Sequence, residues 1–173
     1  LNKKMVWIIF ISIIGLLIAG LGYHFITNKD SVKEVSTGLN IGEHPPAFTL
    51  YNLDGQQVTI GKENKITVLN FWATWCPPCR AEFPELDRFV KKNRDKILFY
   101  SIDLQEDSSK VKEFFKNGQY SFSALLDKDG AMAKQFRITA IPTTIILDDK
   151  GIIRYRKTGG ITQDELENII AKL

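Results

Sequence analysis

The chain contains two cysteines, three residues apart in the run Cys76-Pro77-Pro78-Cys79. At this spacing a pair can close a small disulfide ring, or act as a dithiol that opens a disulfide in another molecule. Other uses of cysteine lack partners here. A structural zinc site needs more ligands than the pair supplies, and no further cysteine exists to complete one. Covalent haem attachment needs a histidine after the second cysteine, where Arg80 stands. As a structural staple so small a ring does little, because the entropy removed from the unfolded chain grows with loop length. Thiol–disulfide exchange is the chemistry to expect.

That chemistry needs one sulfur as a thiolate, and the flanking elements say which. Residues 66–72 (ITVLNFW) are apolar and β-branched with no charge, the pattern of a strand buried on both faces. Between Arg80 and Asn93, Phe83, Leu86, Phe89 and Val90 recur at helical spacing. Cys76 falls between strand and helix, near the helix N-terminus, where free N–H groups and the macrodipole favour an anion. It is the expected nucleophile, with a lowered pKa. Pro77 suits a first helical turn, where its missing N–H would have no partner. Cys79, one turn further in, is the expected resolving thiol.

The rest of the chain alternates in the same style. Residues 47–50 and 57–60 flank Asp54-Gly55 and predict a hairpin. Residues 97–104 read as a strand, 108–116 as a helix, 124–126 as a short apolar piece and 130–136 as a short helix. Residues 143–147 and 152–156 form a second hairpin through Asp149-Lys150-Gly151, and Thr162 opens a last helix with Glu165 as its capping-box partner. The expected class is α/β: a central mixed sheet flanked by helices, preceded by an N-terminal β-hairpin.

Ahead of the domain, residues 6–26 carry no Asp, Glu, Lys or Arg. As a helix they would span about 32 Å, close to the hydrocarbon thickness of a bilayer. Trp7 and Tyr23 lie near its two ends, Lys3 and Lys4 precede it, and Lys29, Asp30, Lys33 and Glu34 follow with mixed sign. The positive-inside rule then leaves residues 1–5 in the cytoplasm and the rest of the chain outside. The apolar run continues past Ala19 and Gly22 through Phe25 and Ile26, which favours an uncleaved signal-anchor over a cleaved signal peptide. Residues 27–41 are polar and read as a tether, leaving residues 42–173 as the folded domain. The expected location is the cell membrane, single-pass, with that domain on the extracytoplasmic side. The composition, 44% hydrophobic and 25% charged, is that of a globular protein. A net charge of +3 with scattered lysines gives no support to nucleic-acid binding.

The run VLNFWATWCPPCRAEFP resembles the active-site segment of the extracytoplasmic thioredoxin-like reductases of the ResA/TlpA type, and more distantly the CcmG-type proteins of cytochrome c maturation. Ile141-Pro142-Thr143-Thr144 resembles the cis-proline loop of the thioredoxin superfamily. The resemblance implies a thioredoxin-like fold and a redox-active disulfide between Cys76 and Cys79. It implies a cis bond before Pro142, facing the sulfurs, and substrate contacts at Trp75, Pro77, Pro78, Ile141, Pro142 and Thr143. A cis turn would leave backbone free to pair with an extended substrate strand. No cofactor motif is present. The implied partners are exported proteins with disulfides, such as apocytochrome c, and a membrane thiol carrier of the CcdA type as electron donor. A monomer is expected.

Two departures from thioredoxin bear on mechanism. Thioredoxin carries a buried Asp two residues before the first Trp of this segment; Asn70 stands there and cannot accept a proton. Glu82, three residues after Cys79 on the same helix face, is then either the acid/base for the thiols or an ordinary solvated helix residue. The dipeptide Pro77-Pro78 removes two N–H donors near the thiolate, which favours reductase over oxidase behaviour. A dithiol oxidase or isomerase could use the same residues, and the redox potential separates the two. A thiol peroxidase would need a Pro-x-x-x-Thr-x-x-Cys setting, which is absent. A copper chaperone would need CxxxC and a distal histidine, but His24 and His44 both precede the motif.

Overall fold

The structure, a computed structural model, describes residue 2 and residues 36–61 and 64–173. The expected anchor over residues 6–26 and the tether up to residue 35 lie outside the described residues, as do residues 1–5 apart from residue 2. Among the described residues no helix is long and apolar enough to cross a membrane.

In chain order the elements are β1 (Phe48–Asn52), β2 (Gln57–Ile60), β3 (Ile66–Trp72), α1 (Pro77–Asn93), β4 (Ile97–Leu104), α2 (Ser108–Gly118), β5 (Ala124–Asp127), α3 (Ala131–Gln135), β6 (Thr143–Leu147), β7 (Ile153–Thr158) and α4 (Gln163–Ile170). The strands form one mixed sheet in the order β2-β1-β5-β4-β3-β6-β7. β3, β4 and β5 are parallel, and the other pairings are antiparallel. Parallel neighbours need a crossover, which α1 and α2 provide. The hairpin expected ahead of the sheet is part of it, since β1 pairs with β5 at Tyr51↔Leu126 and Asn52↔Leu125.

β3 sits between β4 and β6, which is why its run is apolar on both faces. Alternate residues feed two cores. Val68 and Trp72 meet Phe83, Leu86, Phe89 and Leu166 beneath α1 and α4. Leu69 and Phe71 meet Phe48, Ile102, Phe136 and Ile145 on the other face. In the first core Phe83 is fully buried, with its ring 4.4–6.0 Å from those of Trp72, Phe114, Phe115, Tyr120 and Phe122.

Residues 36–41, read from sequence as the end of the tether, are stitched to the domain. His44 N–H donates to Ser36 O and Gly38 N–H to His44 O, both at 2.9 Å, while Leu39 packs on the second core. Only half of the expected capping box forms. Thr162 Oγ1 accepts from Glu165 N–H at 3.3 Å, but the Glu165 carboxylate turns instead to Tyr155 Oη and Lys157 Nζ, at 2.7 and 2.6 Å. A cation and a hydroxyl outcompete one backbone amide for its oxygens.

Candidate active site

The site is mounted where β3 ends and α1 begins. Cys76 N–H donates to Ala73 O at 3.2 Å, closing a turn. Cys76 is the N-cap of α1 in an extended conformation, and its Sγ accepts Cys79 N–H at 3.3 Å. Pro77 and Pro78 fill the first two helical positions, so the helix starts three residues earlier than its apolar stripe indicates. Cys76 and Cys79 are joined as a disulfide. Cys76 is 3% exposed and Cys79 not at all, whereas neighbouring Trp75 is 67% exposed.

The second wall is the loop before β6. The Ile141–Pro142 peptide is cis, as the sequence resemblance implies, and the Ile141 carbonyl oxygen lies 3.8 Å from Cys76 Sγ. Gly159 N–H occupies Pro142 O at 2.8 Å, and Thr143 Oγ1 donates to Ala140 O at 2.7 Å. Thr143 is in register with both Phe71 and Thr158.

Glu82 is no solvated helix residue; its side chain is buried. Its Oε1 accepts Asn70 Nδ2 at 2.8 Å and its Oε2 accepts Ile161 N–H at 3.0 Å. Asn70 Nδ2 also donates to Thr144 Oγ1 at 3.2 Å, across the Asn70↔Thr144 register of β3 and β6. Burial pushes Glu82 up to about 7, against the lowering influence of these two bonds and of the Lys157 charge. A carboxyl on the helix that carries Cys79 thus gains and loses its proton near neutral pH.

Sequence reasoning missed two further carboxyls at this end of the sheet. Asp103, at the end of β4 in register with Trp72, is buried. Glu106, just past β4, accepts Thr74 N–H at 2.6 Å and Thr74 Oγ1 at 2.7 Å. Read singly, acidic residues at a strand-to-helix connection look like turn residues. The available signal was positional, since the C-terminal ends of parallel strands beside a switch in strand direction are where sites collect.

A family model described as Redoxin matches residues 40–172. The chain belongs to the Redoxin family. It is similar to the Thioredoxin-like protein YneN of Bacillus subtilis, 32% identical over 156 residues that cover 88% of this chain and 91% of that protein. The thiol-disulfide oxidoreductase ResA of Halalkalibacterium halodurans is 28% identical over 171 residues, covering 98% of this chain and 95% of its own length. A solved structure of a secreted Mycobacterium tuberculosis disulfide oxidoreductase, homologous to E. coli DsbE, superposes with a TM-score of 0.65 at 28% identity, over 73% of this chain and 96% of that one. The chain is a thiol–disulfide oxidoreductase on a thioredoxin-like α/β fold, and the likeness to ResA read from its motifs extends over most of its length.

Proposed function

We propose that this protein is a membrane-anchored, extracytoplasmic disulfide reductase that opens disulfides in exported proteins, such as the haem-binding cysteines of apocytochrome c. Its electrons come from a membrane thiol carrier of the CcdA type, and it acts as a monomer. The observation that carries the reductive direction is the hydrogen bonding of Cys76 Sγ. The N–H groups of residues 77 and 78 would stand beside it, but both residues are proline, and Sγ accepts from Cys79 N–H. A thiolate with few donors is less stabilised, and the oxidised form gains accordingly. Lys3 and Lys4 before the apolar run, and a secreted relative, support the extracytoplasmic placement.

In the reduced protein the Cys76 thiolate attacks one sulfur of the substrate disulfide. That S–S bond breaks, a mixed disulfide forms, and the departing substrate sulfur takes up a proton. Cys79 then passes its proton to the Glu82 carboxylate and attacks Cys76 Sγ. The second substrate thiolate leaves and is protonated, and the Cys76–Cys79 disulfide remains. The substrate has gained two electrons and two protons, and the membrane carrier returns two electrons to the pair. Trp75, Pro77, Pro78 and the Ile141–Thr143 loop form the surface against which the substrate chain lies. Burial of Cys79 disfavours its thiolate, which is why an acceptor three residues further along the same helix and poised near neutral pH matters.

Equilibration of the pair with glutathione tests the direction. The expected potential lies near that of thioredoxin, about −270 mV, whereas a value near the about −120 mV of a strong oxidant would assign the chain to dithiol oxidation instead. A Cys79→Ser variant, which cannot resolve the mixed disulfide, then retains the physiological partner for identification.

A further inference from the structure

Thr74 and Trp75 are the two middle residues of the turn closed by Ala73 O and Cys76 N–H. The N–H of the second residue of such a turn has no partner within it. Here that N–H and the Thr74 hydroxyl are both taken by one side chain, Glu106, at 2.6 and 2.7 Å. Glu106 reaches the turn from the β4–α2 connection, 32 residues further along. Serving two donors on two oxygens suits an ionised carboxylate, since a side-chain amide offers one acceptor oxygen.

The connection is shaped for this contact. Gln105 adopts a left-handed conformation, φ 58°, which a non-glycine residue seldom takes, and its N–H is held by Asp127 O at 3.1 Å. The reversal brings Glu106 back over the end of β3. Beside it, burial first and the Glu106 carboxylate second push Asp103 up to about 8. At neutral pH Asp103 holds a proton, and both Thr74 donors face the two oxygens of Glu106.

We propose that Glu106 is a positioning residue for thiol–disulfide exchange: by clamping Thr74 it fixes the turn over residues 73–76, and with it the place of Cys76 Sγ between the start of α1 and the Ile141 carbonyl. This goes beyond the reductase assignment and rests only on its use of Cys76 as the attacking sulfur. It requires nothing of the direction of electron flow.

The test compares the reduced parent with Glu106→Gln, Glu106→Ala, Thr74→Val and the double variant Thr74→Val/Glu106→Gln. The readouts are the rate and pH profile of Cys76 alkylation by iodoacetamide, the equilibrium with glutathione and the melting temperature. Loss of the clamp should slow alkylation about fivefold in Glu106→Gln and about threefold in Thr74→Val, the size of a coupled hydrogen-bonded pair. The pH profile should shift with the rate, and the double variant should be no slower than Glu106→Gln alone. If Glu106→Gln melts like the parent and stays within twofold of it in rate and glutathione equilibrium, the proposal is wrong. It is equally wrong if the two single effects multiply in the double variant, as independent sites would. Should Glu106→Ala fail to fold, the near-isosteric Gln variant still decides. A failure of the reductase assignment appears elsewhere, in the parent itself, as an oxidising potential or as Cys79 labelled before Cys76.

Discussion

Replacing Glu82 by Gln should stabilise the oxidised domain above neutral pH and leave it nearly unchanged in mild acid. In the unfolded chain the carboxyl ionises near its ordinary 4.5; in the fold burial moves it to about 7. Between these values the folded state holds a proton that the unfolded state has released, so stability falls as pH rises through that window. Below 4.5 both states are protonated and the position costs nothing; above 7 both are ionised and the full cost is present. A move from 4.5 to about 7 corresponds to roughly 3 kcal/mol. The side chain is 4% exposed, so solvent screening relieves little of it. Gln carries no charge to desolvate, and the surroundings can serve it. Asn70 Oδ1 has no partner. With the Asn70 amide turned over, that oxygen accepts from Gln Nε2 and from a rotated Thr144 hydroxyl, while Gln Oε1 keeps Ile161 N–H. Urea unfolding of the oxidised domain at a series of pH values reads the difference. The Gln variant should be more stable by about 2–3 kcal/mol at pH 8, with the two curves converging toward pH 5. Parallel curves, or a Gln variant weaker at pH 8, would refute the premise that burial dominates this carboxyl. In thiol chemistry the same variant should resolve a mixed disulfide more slowly, because the proton acceptor is gone.

Other outcomes follow from the same neighbourhood. Asn70→Asp sets a second buried carboxyl where Asn70 Nδ2 now donates to Glu82 at 2.8 Å, and should cost about 3 kcal/mol at pH 8, largely recovered near pH 5, as urea unfolding would show. Phe83→Ala empties the centre of the aromatic cluster and should lower stability by about 3–5 kcal/mol, measured by thermal or denaturant unfolding. On the proposed topology, protease added to intact protoplasts should remove the domain, and full protection would contradict the extracytoplasmic placement.

Much of this molecule was legible in its sequence. Residues 57–60, 66–72, 97–104 and 143–147 are strands with the bounds their alternation and β-branching predict, because each strand's character is set by its own residues. The start of α1 was less visible, since Pro77 and Pro78 carry no apolar periodicity even though they suit a first turn. Cys76 and Cys79 stood out through residue type and spacing, and Pro142 through the likeness of its loop to the cis-proline loop of the thioredoxin superfamily. Asn70 and Glu82 were picked out as well, but the contact between them was not, because it depends on α1 lying over β3, and the partners Thr144 and Ile161 N–H come from distant segments. Glu106 was hidden for the same reason: nothing local announces that a left-handed Gln105 sends it back to Thr74. Pairwise chemistry across the sheet has no period in the sequence, whereas element type does.

The attachment of the N-terminal hairpin has a consequence for how the domain opens. β1 meets β5 only at Tyr51↔Leu126 and Asn52↔Leu125, whereas β3 and β4 pair along the whole length of β3. Amide hydrogens of β1 and β2 should therefore exchange through a sub-global opening of low free energy, in which the hairpin leaves with Phe48 and Leu50 and exposes Phe136. Those of β3 and β4 should exchange only through global unfolding. The dithiol should then be carried by the last part of the domain to let go, and a nick in the hairpin should leave the sulfurs in alignment.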